Sequence, residues 1–411
     1  SRFGADNRYG FFPAGSVGWV ITEESFAEGM LRYVPYLKLR ASYGITGNAG
    51  IVNFGSLGLW GGTAYGGLSG INPTQIPNPN LSWETTRQVD IGFDFGLFNN
   101  RITGEFDYYV KNTEDLLLSV QIPATSGFST SLRNVGKMEN KGWEFVLNSF
   151  NINTGDFRWN SNFNISMNKN KVTDLDGQVI SGGFINRAIE GHAIGVYYGR
   201  TFAGVDPANG NALFNIYDED CKNVIQTTSS YNSATECVIG NPNPKFTGGF
   251  GNTFTYKGFE LNVLLQFVQD VDLYVGGSGR FSRGSGIYED NSFRDQLNAW
   301  SPSNPNTNVP ENRYLLANGN QHSSRYISDG SYVRLKNVTL GYALPQRALA
   351  NTGLTKMRLY VTGVNLITWT DFIGWDPEMN TDYLASNISL GNEFYTAPQS
   401  RTITFGIDIG F

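Results

Sequence analysis

The last eleven residues, RTITFGIDIGF (401–411), decide how the rest of the chain is read. Ile403, Phe405, Ile407, Ile409 and Phe411 fall on one face at a period of two, and Thr402, Thr404, Gly406, Asp408 and Gly410 fall on the other. A period of two is strand geometry, here with one apolar and one polar face. Two architectures use such a strand. In a sandwich the apolar face meets a protein core; in a transmembrane barrel it meets lipid. The number, length and spacing of the other strands must discriminate between them.

The same alternation recurs upstream. Leu37, Leu39, Ala41, Tyr43 and Ile45 alternate with Lys38, Arg40, Ser42 and Gly44. Val89, Ile91, Phe93, Phe95 and Leu97 alternate with Asp90, Gly92, Asp94 and Gly96, and Asn99-Asn100 gives a two-residue hairpin signal before a return strand predicted from Ile102 to about Val120. Further strands are predicted over 9–22, 135–150, 157–167, 245–256, 259–267, 331–344 and 357–369, with tight turns at 153–156 and Lys257-Gly258. A short helical piece is predicted over 24–31. In 331–344 the apolar phase slips at Lys336-Asn337, which reads as a β-bulge. The segment from 171 to 244 reads as polar and irregular, a long loop insertion with a small hairpin near 196–203.

Connections near 99, 153, 257 and 345–355 are short, whereas 47–82, 121–134, 171–244, 276–330 and 370–398 are mostly long. Short turns on one side and long loops on the other are the pattern of an outer-membrane barrel. Eleven crossing strands is an odd number. Single-chain bacterial barrels have even numbers, and an open edge in lipid leaves backbone groups without partners. The expectation is that the barrel closes against strands outside this sequence. No secretory leader opens the chain either, so an exported protein would begin upstream of Ser1.

Composition agrees with this reading. The 411 residues include 49 glycines, with 14% aromatic residues and 16% charged ones, against a usual ~25% charged. A net charge of −6 argues against a nucleic-acid partner. No run of ~18 apolar residues is present, so no transmembrane helix is expected. The only cysteines, Cys221 and Cys237, lie in a polar segment. A disulfide between them would suit an oxidising compartment, the alternative being two free thiols.

Five stretches carry a family resemblance: LKLRASYGITGNAGI (37–51), NPNLSWETTRQVDIGFDFGLFNNRI (78–102), IGNPNPKFTGGFGNTFTYKGFELNVLLQF (239–267), SDGSYVRLKNVTLGYALP (328–345) and LYVTGVNLITWTDFIGWDPE (359–378). In order, and over nearly the whole chain, they resemble the C-terminal barrel half of SusC/RagA-type TonB-linked outer-membrane transporters. The segment 171–238 matches least, and the cysteine pair is not expected of the family.

The resemblance implies an all-β, antiparallel transmembrane barrel of about 22 strands, of which residues 1–411 would supply strands 12 to 22. The plug domain, the TonB-binding segment and the N-terminal barrel half would lie outside the chain. It also implies import of an oligosaccharide or peptide, energised through TonB, with a SusD-like surface lipoprotein as lid and the outer membrane as location. A surface receptor or adhesion barrel without transport is the alternative. Phe411, as the terminal aromatic of the last strand, would carry the barrel-assembly signal.

Little in the sequence suggests catalysis, and no enzyme is expected. His192 and His322 are the only histidines, there is no GxSxG elbow, and the run GGSGRFSRGSG (276–286) lacks the Lys-Ser/Thr of a phosphate loop. No cofactor is expected. Asp218, Glu219 and Asp220, with Asp206 and Asn209, form a candidate Ca²⁺ loop without EF-hand spacing, and a solvated loop is the bland reading. The candidate substrate contacts are loop aromatics, Trp60, Tyr65, Trp375, Tyr383 and Tyr395, whose flat rings suit stacking on sugars or peptide side chains. Trp300 is read as structural. Trp19, Trp83, Trp143, Trp159 and Trp369 sit near strand ends and suit an interfacial girdle.

Overall fold

The computed structural model describes residues 2–281, 291–350, 352–381 and 387–411. Eleven strands form one antiparallel sheet in chain order. They are β1 (Ala14–Val20), β2 (Tyr36–Asn48), β3 (Glu84–Leu97), β4 (Ile102–Glu114), β5 (Lys137–Asn153), β6 (Phe157–Asp174), β7 (Phe246–Tyr256), β8 (Phe259–Gln269), β9 (Tyr332–Ala343), β10 (Lys356–Thr370) and β11 (Thr402–Gly410). Every strand predicted from alternation is present.

Register carries the apolar face across the sheet. Ile403, Phe405, Ile407 and Ile409 lie opposite Gly363, Val361, Leu359 and Met357. Val361 and Leu359 lie opposite Leu340 and Tyr342, which lie opposite Leu261 and Phe259. One outward face is therefore continuous from β7 to β11. Phe259, Leu340, Leu359, Ile403, Phe405, Ile407 and Ile409 are exposed on it, Phe405 at 80%, and Leu261, Tyr342, Val361 and Met357 are half-buried between them. An apolar face this large has no place in water and suits lipid.

The opposite face is polar. Arg358 of β10 bridges Glu260 of β8 and Asp408 of β11, and Thr253 of β7 donates to Asn262 of β8. Gly406 permits one close approach: the ring of Tyr360 lies where a Cβ on that glycine would stand. The Lys257-Gly258 turn joins two paired residues, Tyr256 and Phe259, and both turn residues have positive φ, 44° and 91°. That is the backbone twist a two-residue hairpin requires.

The chain divides into two compact units. The first comprises residues 1–145, 168–180 and 188–194 and holds β1 to β4. There Arg40 of β2 pairs with Asp94 of β3 and Asp107 of β4 on the polar face. Two loop hairpins stand at one end, Leu59–Tyr65 with Leu68–Gln75 and Leu117–Gln121 with Thr130–Asn134.

The second unit comprises residues 146–167, 181–187 and 195–411 and holds the first part of β6 and all of β7 to β11, with the longest loops. Those loops carry the buried cores. One joins Ile185, Tyr197, Tyr274 and Tyr326; another joins Val271, Leu273, Val275 and Phe372; a third joins Ala212, Phe214 and Ala234. We refer to this folded loop structure as the cap.

Four sequence expectations are corrected. The strand predicted over 9–22 is shorter, Ala14–Val20, because 9–13 lies outside it and Ile21–Glu23 turns into a 3-10 helix at its end. Asn99-Asn100 is not a two-residue hairpin. Leu97 pairs with Ile102, and Phe98, Asn99 and Asn100 all have positive φ in a wider turn. The segment 171–244 is not irregular, since short strands run through it, among them Val196–Arg200, Ala212–Tyr217 and Glu236–Gly240. Nor is 196–203 a hairpin: Val196–Arg200 pairs with Asn186–Ala188 and Glu236–Gly240, and Phe202–Val205 pairs with Ala212–Tyr217. The predicted bulge is present, as a register shift between Leu335 and Asn337.

Candidate binding site of the cap

Short strands whose partners lie far away in sequence organise the cap. Asp272–Val275 pairs antiparallel with Ile327–Asp329 and parallel with Asn392–Glu393. Tyr197 locks this arrangement from below. Its hydroxyl donates to the Gly391 carbonyl at 2.7 Å and accepts from the Tyr274 backbone N–H at 3.1 Å. Burial raises the Tyr197 hydroxyl pKa, so it stays a neutral donor.

A buried amide pair fixes the next layer. Asn186 Nδ2 donates to the carbonyls of Gly195 and Leu390, and Asn392 Nδ2 donates to Asn186 Oδ1 at 2.7 Å and to Ser389 Oγ at 3.0 Å. Each carboxamide with paired partners holds two loops together.

On this support stands a row of four aromatic rings. Phe184 lies 6.0 Å from Phe394, Phe394 5.4 Å from Tyr395, and Tyr395 6.5 Å from Trp375, centroid to centroid. Phe184 also touches the buried Tyr274 at 6.4 Å, which ties the row to the core. Phe394, Tyr395 and Trp375 are exposed, Trp375 at 51%. Phe184 and Tyr395 have positive φ, 36° and 54°. Bulky residues rarely adopt that backbone, and held strain of this kind clusters at binding sites. The row offers flat apolar faces at stacking distance.

Beneath the row, His322 Nδ1 lies 2.5 Å from the Tyr274 hydroxyl, with the Arg280 guanidinium beside the ring. Burial, then Arg280 and Arg187, pushes the His322 pKa down to about 4. The imidazole is therefore neutral at pH 7, hydrogen-bonded to the Tyr274 hydroxyl on one side, with Nε2 accepting from the Arg280 guanidinium on the other.

Of the sequence candidates, Trp375 and Tyr395 come together in the row. Tyr383 lies outside the described residues, as does the side chain of Tyr65. Trp60 is exposed on the Leu59–Tyr65 strand in the first unit. Trp300 packs over Gly210 and donates to the Pro207 carbonyl at 3.1 Å, a wedge between two loops. Sequence reasoning missed Phe184 and Phe394. The only available signal was the adjacent Phe394-Tyr395 pair in a loop.

The structure joins Cys221 to Cys237, with Cα atoms 5.9 Å apart, and thereby staples the Glu236–Gly240 strand to the acidic loop. In that loop Asp218 accepts the backbone N–H groups of Lys222 and Asn223 and the Asn223 side-chain amide. Asp206 accepts from the Ala208 backbone and the Asn209 side chain. Among the described residues no three His, Cys, Asp or Glu side chains converge as metal ligands.

Residues 1–366 match the family described as TonB dependent receptor-like, beta-barrel. The chain belongs to that family. TonB-dependent receptor P3 of Formosa agariphila is 39% identical over all of this chain, which spans 43% of that protein. TonB-dependent receptor SusC of Bacteroides thetaiotaomicron is 30% identical over all of this chain, which spans 41% of it. A solved structure of the RagAB peptide transporter superposes with a TM-score of 0.87 at 28% identity, covering all of this chain and 44% of that one. The chain thus spans less than half the length of these TonB-dependent receptors. It is a SusC/RagA-type β-barrel portion located in the outer membrane, and its β-strands are the membrane-spanning elements. The family is one of transporters and receptors, not of enzymes.

Proposed function

We propose that the protein containing this chain imports an oligosaccharide or a peptide across the outer membrane, energised through TonB. A SusD-like surface lipoprotein serves as its lid, and a plug and N-terminal barrel half complete the channel. The aromatic row of the cap, with Trp375 and Tyr395 at its exposed end, contacts the substrate. The family match over the chain supports import, and the exposed row on strained backbone supports the contact. The similar RagAB structure is described as a peptide transporter, which favours the peptide branch.

The test uses the full-length transporter in its native membrane. Cells are offered fluorescein-labelled maltohexaose or a fluorescein-labelled mixed peptide pool. Uptake of one of them should vanish on deletion of the transporter gene and on loss of TonB. The Trp375→Ala, Tyr395→Ala double variant should reduce it by about tenfold, as expected for losing two stacking contacts. Surface binding that persists without TonB, with no uptake, would instead support the adhesion reading.

A further inference from the structure

The two sequence motifs at the end of the chain face each other across the polar side of the sheet. Arg334 and Lys336 of β9 belong to YVRLKNVTLGY, and Asp376 and Glu378 belong to FIGWDPE. We infer that Arg334 and Lys336 are positioning residues for the aromatic row, acting through Asp376 and Glu378. The inference rests on the reading of the row as a substrate contact and adds what holds its outer end in place.

Arg334 is 2% exposed although it carries a full charge. Its Nη2 lies 2.5 Å from Asp376 Oδ1, its Nη1 lies 2.6 Å from Glu378 Oε2, and its Nε donates to Thr368 Oγ1 of β10 at 2.9 Å. Lys336 Nζ donates to both Glu378 oxygens, at 2.7 and 2.9 Å. Two cations and two anions balance. The Asp376 carboxylate then gathers the loop itself: Oδ1 accepts the Glu378 N–H at 2.8 Å and Oδ2 accepts the Gln399 N–H at 2.9 Å. One side chain therefore ties the beginning and the end of the 371–401 loop to the wall.

Trp375 is the residue immediately before this knot. On its other side, Phe372 is buried in the cap core and Ile373 N–H donates to Ser328 Oγ at 3.2 Å. The segment is thus pinned on both flanks, and Trp375 projects from it toward Tyr395.

The bulge supplies the second argument. Against β8, adjacent Leu264 and Leu265 lie opposite Asn337 and Leu335, which makes Lys336 the extra residue of β9 in that pairing. Bulges re-aim a side chain beside functional sites, and here the re-aimed side chain is the one that reaches Glu378. Well-packed apolar residues would stabilise the same contact at least as well, because burying ions costs desolvation. What the ion cluster adds is a fixed geometry at Trp375.

The test keeps Arg334 intact so that the barrel folds. Full-length transporter carrying Trp375→Cys is labelled on intact cells with a charged, membrane-impermeant maleimide. Lys336→Met and Glu378→Gln should each change the labelling rate by about fivefold, an effect on the order of 1 kcal/mol. A control cysteine at Leu316 should label unchanged. Lys336→Arg, which keeps the charge opposite Glu378, should restore the original rate, and a loss of packing alone would not give that rescue. Unchanged labelling at position 375 in both variants would overturn the inference. If labelling shifts while the labelled peptides and maltohexaose still enter a Trp375→Ala strain normally, the clamp stands and the substrate reading of the row falls.

Discussion

Phe405 on β11 is 80% exposed, and Tyr197 in the Val196–Arg200 strand of the cap is fully buried, although both are large aromatic residues on β-strands. The wall and the cap solve opposite problems. The wall has lipid on one side and a polar space on the other, so its strands need alternation and no core of their own. The cap stands outside the membrane and must bury apolar surface against itself. It does so with Tyr197, Tyr274, Tyr326, Val275 and Phe214. The cap also carries the buried amides and the disulfide, and it joins the wall through the Arg334 cluster.

The largest expected effect breaks the wall side of this comparison. In Phe405→Arg the strand loses an aromatic contact with lipid and gains a cation on the lipid face near mid-strand. The two costs together are on the order of 5 kcal/mol. The full-length variant should fail to reach the surface, measured by immunodetection on intact cells and by heat-modifiable mobility of the barrel. Normal surface levels would mean that the two faces have been assigned the wrong way round. A charged substitution at an already polar wall position such as Asn262 should be far milder.

A smaller effect separates the cap from the wall. The Cys221–Cys237 bond spans 16 residues, and closing a loop of that size stabilises by about 3 kcal/mol in the chain-entropy model. The double Cys→Ser variant should reach the membrane with a normal barrel. Its cap should be cut much faster by an added protease, with cleavage mapped by mass spectrometry to 206–240. A parallel loss of barrel heat-modifiability would show that the cap is not independently stabilised.

The same contrast explains what was legible in the sequence. A wall strand announces itself, because Ile403, Phe405, Ile407 and Ile409 show the whole rule within a few residues. Even the bulge at Lys336 was visible, as a phase slip. Cap strands such as Asp272–Val275 are too short to show a period, and their partners at 327–329 and 392–393 lie far along the chain. The aromatic row failed for the same reason. Trp375 and Tyr395 stand out in the sequence as loop rings, but Phe184 reaches Phe394 through the fold, where the Asn186–Asn392 amide pair joins two segments about two hundred residues apart. Nothing local at Phe184 marks it. The partners of Arg334 and Lys336 were in view as motifs, yet only the three-dimensional register shows that one motif is the counter-charge of the other.

The smallest effect sharpens the comparison by pH, because the wall and the cap should respond differently. His322 is held at about 4 in the folded cap, against 6.5 for a free imidazole. Between those values the unfolded chain binds a proton that the folded cap refuses. The contribution to stability is therefore complete above about pH 6.5 and disappears as the pH falls toward 4. Because the ring is only partly shielded from solvent, the loss is discounted to about 1–2 kcal/mol. Charging it would set a cation against Arg280 and Arg187 and remove the ring nitrogen that accepts from the Arg280 guanidinium. Hydrogen exchange at the amides of 272–275, corrected for its intrinsic pH dependence, should accelerate roughly tenfold between pH 7 and pH 4, while the amides of β7 and β8 barely change. His322→Gln keeps both a donor and an acceptor at this position but cannot titrate, so the acceleration should flatten. An equal acceleration in that variant would assign the pH response to groups other than His322 and leave the histidine a passive part of the core.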